Sequence, residues 1–93
     1  MVVSKMEKLI ERRIMEGLLS RLKDCRVENN LYKGKYLTSL MSEKMLRRII
    51  YKILSGSKDD KDVELLTEIT LRNLITKIQE NPRKWIYLNN LEV

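Results

Sequence analysis

Histidine and phenylalanine are absent from this chain, and cysteine occurs once, at Cys25. Without histidine, the sequence excludes His-based acid–base catalysis, Ser-His-Asp and Cys-His nucleophilic sites, and the common zinc sites. A single cysteine cannot form an intrachain disulfide, which favours a reducing, intracellular compartment. We therefore expect a non-enzymatic protein that uses no cofactor and no metal.

Long uncharged stretches are missing as well. The longest two, 36–42 and 85–91, have seven residues each, whereas a membrane-spanning helix needs about 20 apolar residues. The N-terminus has neither the apolar segment nor the cleavage pattern of a signal peptide. We predict a protein that does not span a membrane and that lies in the cytoplasm, or in the nucleus if the source organism has one.

Glycine and proline are scarce, with three and one residues, whereas good helix formers are abundant. The 93 residues suffice for one domain, so we treat 1–93 as a single helical domain. The apolar fraction of 43% is enough for a hydrophobic core. The sequence predicts a small, mainly α fold of three long helices with an irregular C-terminal tail.

The first helix is predicted from about Lys5 to Cys25. Ser4 and Glu7 form a capping box at its start. Gly17 lies inside this helix and is either a tolerated glycine or the point where another helix crosses closely. Every fourth residue is apolar, which gives one stripe: Met6, Ile10, Ile14, Leu18 and Leu22.

The next segment, 26–36, contains turn formers, and we predict a loop there rather than a short hairpin. A second helix is predicted from Thr38 or Ser39 to Ser55, with Gly56 as its C-terminal cap. Its apolar arc covers roughly 220° of the helix circumference, so we expect it to be the most buried element.

The third helix is predicted from about Lys61 to Glu80, because acidic residues open it and Asn81-Pro82 ends it. Its apolar residues fall on two faces, so the helix is either sandwiched on both sides or broken near Thr70. One face holds Leu65, Leu66 and Ile69, and the other holds Val63, Leu71, Leu74, Ile75 and Ile78.

The C-terminal tail, 83–93, has two possible structures. Its aromatic and branched residues fit a hairpin with an Asn-Asn turn. They equally fit a fourth short helix, with Asn81 as its cap and Pro82 in its first position. The sequence leaves both alternatives open.

A break near Thr70 would create a helix-turn-helix, with 63–69 as its first helix, 70–81 as its recognition helix and the tail as a wing. In this C-terminal third the pattern loosely resembles that of winged-helix proteins. Two features differ from such a motif: the turn glycine is missing, and the recognition helix offers only Arg72 and Lys77 as basic residues.

The formal net charge of +6 is unevenly distributed. Residues 1–58 carry 14 basic and 6 acidic groups, whereas residues 59–81 carry 3 basic and 6 acidic groups. The outer arc of the second helix contains basic residues and no acid, with Glu43 at its edge. Like charges on one arc repel each other, and a phosphate backbone would neutralise them. This arc, the basic face, consists of Lys44, Arg47, Arg48, Tyr51 and Lys52.

A second candidate contact lies in the turn-rich segment, where Lys33 and Lys35 alternate with tyrosines at positions 32 and 36. Lysines contact phosphates, and tyrosines stack on exposed bases. Together with the basic face, this pattern indicates a nucleic-acid-binding regulatory or accessory protein, with DNA favoured over RNA.

The alternative function is a helical protein–protein interaction module, such as an adaptor or a small subunit of a larger complex. Its docking surfaces would be the tail and the first apolar face of the third helix. Because three helices in so short a chain leave apolar surface uncovered, we also expect a homodimer. The residues predicted to contact a protein partner are Trp85, Leu65, Leu66 and Ile69.

Overall fold

The computed structural model describes residues 4–92, with side chains as far as Asn89, and this part of the chain is mainly helical, as predicted. The remaining residues, on which parts of the N-terminal and tail predictions rest, lie outside the described residues. The described part contains five helices and one two-stranded sheet. In chain order these are α1 (Lys5–Arg21), β1 (Cys25–Val27), β2 (Asn30–Tyr32), α2 (Gly34–Ser39), α3 (Glu43–Ser55), α4 (Asp60–Glu80) and α5 (Pro82–Glu92).

Helix α1 begins at the predicted cap, where the Ser4 hydroxyl accepts a hydrogen bond from the Glu7 amide at 3.1 Å. Three residues of its apolar stripe, Ile10, Ile14 and Leu18, are fully buried. The predicted end at Cys25 is wrong, since the helix stops at Arg21. The next residue, Leu22, takes an extended conformation with ψ 117° and directs the chain into a hairpin.

The predicted loop over 26–36 is also wrong. Strands β1 and β2 pair antiparallel, with Val27 opposite Asn30. Glu28 reaches φ 54° in the turn, a conformation that favours glycine and for which the sequence gives no signal. After the hairpin, an added Cβ at Gly34 would collide with the carbonyl oxygen of Leu22. Glycine therefore allows the start of α2 to approach the end of α1.

The predicted start of the second helix at Thr38 or Ser39 is wrong, because those residues end a separate short helix, α2, that begins at Gly34. α2 ends at Ser39, and α3 begins at Glu43 because the Ser42 hydroxyl caps it, accepting a hydrogen bond from the Met45 amide at 3.1 Å. The predicted end at Ser55, with Gly56 as cap residue, is confirmed. Leu37, Met41 and Met45, each four residues apart, all pack in or against the core, although α2 and α3 are separate helices. Because the apolar spacing continues from one helix to the next, it does not indicate the break.

Helix α4 runs unbroken through Thr70. The helix-turn-helix that a break would have created is therefore absent from α4, and the described residues give no evidence for a winged-helix fold. The helix is not sandwiched on both sides either, because Leu65 and Ile69 are exposed, with only Leu66 of that face packed partly against the core. Its buried face consists of Val63, Thr67, Leu71, Leu74 and Ile78.

The C-terminal tail is a helix, the second of the two alternatives. Pro82 is its first residue, and the Asn81 side-chain oxygen accepts a hydrogen bond from the Lys84 amide at 3.1 Å. Trp85 is buried, and its indole N–H donates to the carbonyl of Leu37 at 2.9 Å. This bond ties α5 to α2.

Helices α1 and α4 cross at Gly17. An added Cβ there would collide with Cδ2 of Leu71, which confirms the close crossing. The Cα atoms span 45 × 25 × 17 Å, and a thickness of 17 Å accommodates two layers of helices at the usual spacing of about 8–10 Å. Among residues 4–92, no helix combines the length and apolarity that crossing a membrane requires.

Candidate nucleic-acid interface

The basic face lies on the solvent side of α3. Leu46, Ile50 and Ile53 face the core, and the helical period turns the intervening residues outward. The five members of the face line one shallow, open depression of about 420 Å³. The sequence spacing therefore predicted their common location correctly. They are Lys44, Arg47, Arg48, Tyr51 and Lys52.

One residue of the basic face is paired with an acid of the same helix. Arg47 donates to the Glu43 carboxylate at 2.7 Å, four residues earlier. Both side chains are largely exposed, and an exposed pair of this kind holds its partners only weakly. A phosphate can therefore replace Glu43 as the partner of Arg47.

Two lysines mark the ends of the basic face. Lys44 lies in its first turn and Lys52 in its last turn, and both are exposed. Within residues 4–89, no carboxylate forms an ion pair with either lysine. Eight residues of α-helix separate them by about 12 Å along the axis. The face thus offers two ammonium groups to one ligand.

Tyr51 adds an aromatic ring to the basic face. Its side chain is 72% exposed, the largest value among the exposed apolar and aromatic residues of the described chain. The ring lies between the lysines and arginines of α3, lining the same depression. An exposed ring in this position can stack on a base or pack against a sugar.

Lys33 and Lys35 belong to a different part of the molecule. Lys33 precedes α2 as its N-terminal cap residue and Lys35 lies in its first turn, so neither lines the depression on α3. Their neighbour Tyr32 is partly buried. Tyr32, together with the Glu28 carboxylate that accepts a hydrogen bond from Arg83 at 2.9 Å, raises the pKa of that arginine. The structure therefore separates the two predicted contacts.

Two arginines of α1 are bound to acids of α4. Arg13 pairs with Glu64 at 3.3 Å, and Arg21 pairs with Glu68 at 2.5 Å. The bond from Arg21 lowers the pKa of Glu68, and Arg72 lowers it further. These pairs are not evident in the sequence because they join residues far apart in the chain. The one signal is that Arg13, Gly17 and Arg21 repeat at the fourfold spacing.

The described residues contain neither a group of metal ligands nor a reactive thiol. No group of three or more acidic or cysteine side chains in this part of the chain is arranged to hold a metal ion. Cys25 is buried, and burial together with the charge of Asp24 raises the pKa of its thiol. A raised pKa keeps the thiol protonated and unreactive at neutral pH.

The four residues predicted to contact a protein partner differ in how much of their surface is exposed. Trp85 is only 5% exposed, because its indole anchors α5 to the core, so this residue contributes little surface of its own. Leu65 and Ile69 are 59% and 43% exposed and lie one turn apart on α4, and Leu66 is partly buried against the core. Two of the four therefore offer apolar surface.

Nothing among protein-family models, curated proteins or solved structures matches this chain. The arrangement of the side chains alone therefore carries the functional conclusion.

Proposed function

We propose that this chain is a non-enzymatic nucleic-acid-binding protein, regulatory or accessory in role, that contacts phosphates with the basic face of α3. The observation that carries the proposal is the grouping of four cationic side chains and Tyr51 around one open depression. A phosphate backbone that displaces counterions by binding this face gains affinity from their release.

The other charged interface of the molecule supports this choice of surface. The α4 acids Glu64 and Glu68 pair with arginines of α1 rather than with α3. They are consequently engaged away from the basic face, and they do not neutralise Lys44 or Lys52. The lysines and arginines grouped on α3 are the charges that would attract an anionic polymer.

Double-stranded DNA fits this face better than RNA does. α3 is a 13-residue helix, and the major groove of B-DNA, about 12 Å wide, admits an α-helix. The major groove of A-form RNA is too narrow for one. We therefore propose a DNA duplex as the ligand and phosphate contacts as the main source of affinity.

The test is a salt titration of binding to a duplex of about 20 base pairs, with the wild type beside the Lys44→Ala/Lys52→Ala variant. Each lost phosphate contact lowers the slope of log K against log salt by about 0.9, so two lost contacts lower it by about 1.8. An RNA duplex of the same sequence is titrated in parallel, and we expect it to bind more weakly.

The matched control is Lys58→Ala/Lys61→Ala, which removes the same charge from exposed lysines at the start of α4. We expect this control to keep most of the salt slope. Equal effects of the two double variants would show that only net charge matters, and a wild type that does not bind DNA would refute the proposal.

The exposed pair Leu65 and Ile69 favours a second candidate function, a helical interaction module that pairs with another protein or with a second copy of this chain. We propose a homodimer through this surface as the simplest case. Light scattering gives the mass, and Leu65→Lys/Ile69→Lys should convert a dimer to a monomer. A wild type that stays monomeric at several hundred micromolar excludes the homodimer.

A further inference from the structure

A groove of about 630 Å³ opens where α3, α4 and α5 meet. Each of the three helices contributes apolar side chains to it. Trp85 and Leu74 are buried beneath it, Met45 and Ile49 are half-buried, and Leu88 is exposed. The apolar residues that line the groove are Met45, Ile49, Leu74, Trp85 and Leu88.

The rim of this groove is mainly basic. Lys77 near the end of α4 and Lys84 in the first turn of α5 line it, with Glu80 between them. Within residues 4–89, no carboxylate is ion-paired to either of these lysines. Two lysines and one glutamate therefore border the apolar surface on its α4–α5 side, which leaves this rim with a net positive charge.

We propose that this groove binds an amphipathic helix of a partner protein, with apolar side chains along one stripe and acidic side chains beside the stripe. Apolar anchors at i, i+3, i+4 and i+7 suit a trough between helices. An acidic flank complements Lys77 and Lys84 on the α4–α5 rim, and such complementarity selects the partner and its orientation.

The distribution of charge favours a peptide helix over a lipid-like molecule. An amphiphile with one carboxylate needs a basic cluster at one end of its site, whereas Lys77 and Lys84 lie on different helices along the rim, on either side of the Glu80–Asn81 junction. A nucleic acid is disfavoured as well, since its backbone has no apolar side chains to bury against Ile49 and Leu88.

The probe is a synthetic helix of about 16 residues, with leucines at i, i+3, i+4 and i+7, glutamates beside them and no aromatic residue. Trp85 is the only tryptophan of the chain and lines the groove, so its fluorescence reports occupancy. We expect saturable binding. A scrambled peptide of identical composition, and a peptide with lysine in place of glutamate, should each bind at least tenfold more weakly.

Leu88→Asp is the informative variant. It places an acid in the apolar surface of the groove, and since Leu88 is 41% exposed the fold should tolerate it. We expect at least tenfold weaker binding of the acidic peptide. The matched control is Tyr87→Asp, the same type of change at an exposed neighbour that does not line the groove. Circular dichroism and thermal unfolding verify that both variants fold.

Charge variants test the rim separately. Lys77→Glu/Lys84→Glu should reverse the preference, so that the lysine peptide binds more tightly than the glutamate peptide. Glu80→Gln should strengthen binding of the acidic peptide. None of these residues belongs to the basic face, so the DNA titration on the same variants distinguishes a failure here from a failure of the proposed function.

Three results would overturn the proposal. The first is an acidic helix that binds no better than its scrambled version. The second is equal binding by the Leu88→Asp variant and the wild type. The third is saturation of the Trp85 signal by decanoate without any response to the peptide, which would assign the groove to a small amphiphile instead.

Discussion

The arginines of α1 and the lysines of α3 differ in what lies opposite them. Arg13 and Arg21 point at carboxylates of α4, at 3.3 and 2.5 Å. Lys44 and Lys52 line an open depression instead, with no ion pair to any side chain in residues 4–89. Residues of the same charge thus serve the fold in one place and face solvent in the other.

The difference shows that the basic charge of a chain does not by itself locate a binding surface. Both helices carry several basic residues, and composition alone treats them alike. The crossing of α1 and α4 at Gly17 accompanies ion pairs between the α1 arginines and α4 acids, whereas Lys44 and Lys52 have no ion pair to any side chain within residues 4–89. Only the tertiary structure distinguishes the arginines that are paired with α4 acids from the lysines that line the depression on α3.

The largest expected effect comes from replacing each of the two sets of basic residues with alanine in turn. Lys44→Ala/Lys52→Ala should weaken duplex binding about tenfold or more at 50 mM salt and leave the melting temperature unchanged. Arg13→Ala/Arg21→Ala should do the reverse, lowering the melting temperature slightly with most of the DNA affinity kept. Binding and thermal unfolding are measured on both. If the two variants lose DNA affinity equally, the α3 lysines are no more important for DNA binding than the α1 arginines, which contradicts the proposed interface.

Gly17→Ala should disturb the crossing itself. The added methyl group meets the side chain of Leu71, which is almost fully buried. Overpacking of this kind costs about 1–3 kcal/mol, and the better helix propensity of alanine returns about 1 kcal/mol. We expect a net loss of about 1 kcal/mol, or roughly 4–8 °C in Tm for a domain of this size.

The control for this substitution is Gly56→Ala. A Cβ at Gly56 would have no neighbour closer than 3.4 Å, so its effect on Tm should be close to zero. If Gly17→Ala and Gly56→Ala change the Tm equally, the contact between an added methyl group and Leu71 is not the cause of the destabilisation at Gly17.

A smaller effect on stability is expected from Glu68, the α4 acid that pairs with Arg21 of α1. The hydrogen bond from Arg21 lowers the pKa of Glu68 in the folded protein. In the unfolded chain the pKa returns to its ordinary value of 4.5, so the unfolded chain binds more protons as the pH falls through this range. The stabilisation by Glu68 is therefore present above pH 4.5 and is lost below it.

Replacing Glu68 with glutamine removes this pH dependence. We expect the wild type to have the higher Tm at neutral pH and the two Tm curves to converge as the pH approaches about 2. Thermal unfolding across that range measures the difference. Parallel curves would mean that the pair with Arg21 does not contribute to stability.

The smallest effect should come from Glu43→Gln on the edge of the basic face. The change frees Arg47 from its carboxylate partner and removes a negative charge at the edge of the face that we propose to bind phosphates. We expect DNA affinity to rise about two- to threefold, with a salt slope steeper by up to about 0.9. An unchanged affinity would indicate that Arg47 does not contact the nucleic acid.

Local signals in the sequence predicted the parts of the fold that depend on neighbouring residues. The Ser4 cap and the end of α3 at Ser55 were recognisable because capping involves only a few positions. The start of α3 was missed although Ser42 caps it, because Leu37, Met41 and Met45 maintain one apolar spacing across the break. An apolar period reports which side faces the core, and it does not report whether the chain is one helix or two.

The parts that depend on distant residues were not readable from the sequence. The hairpin turn contains Glu28 in a conformation that sequence rules assign to glycine or asparagine. Trp85 was expected at a surface, since nothing in the sequence pairs its N–H with the carbonyl of Leu37. The basic face was predicted as a group because its members share one helix. Its separation from Lys33 and Lys35 required the three-dimensional arrangement.

The contact between Gly34 and the Leu22 carbonyl brings the two ends of the segment 23–33 together. The chain leaves the core at the end of α1 and returns to almost the same place. Inserting residues between Glu28 and Asn29 would therefore lengthen a loop whose ends are already joined. Doubling a loop of this kind costs only about 0.6 kcal/mol. The hairpin tip is consequently the place where this protein can accept a tag, a longer loop or a grafted binding segment without rearranging its helices.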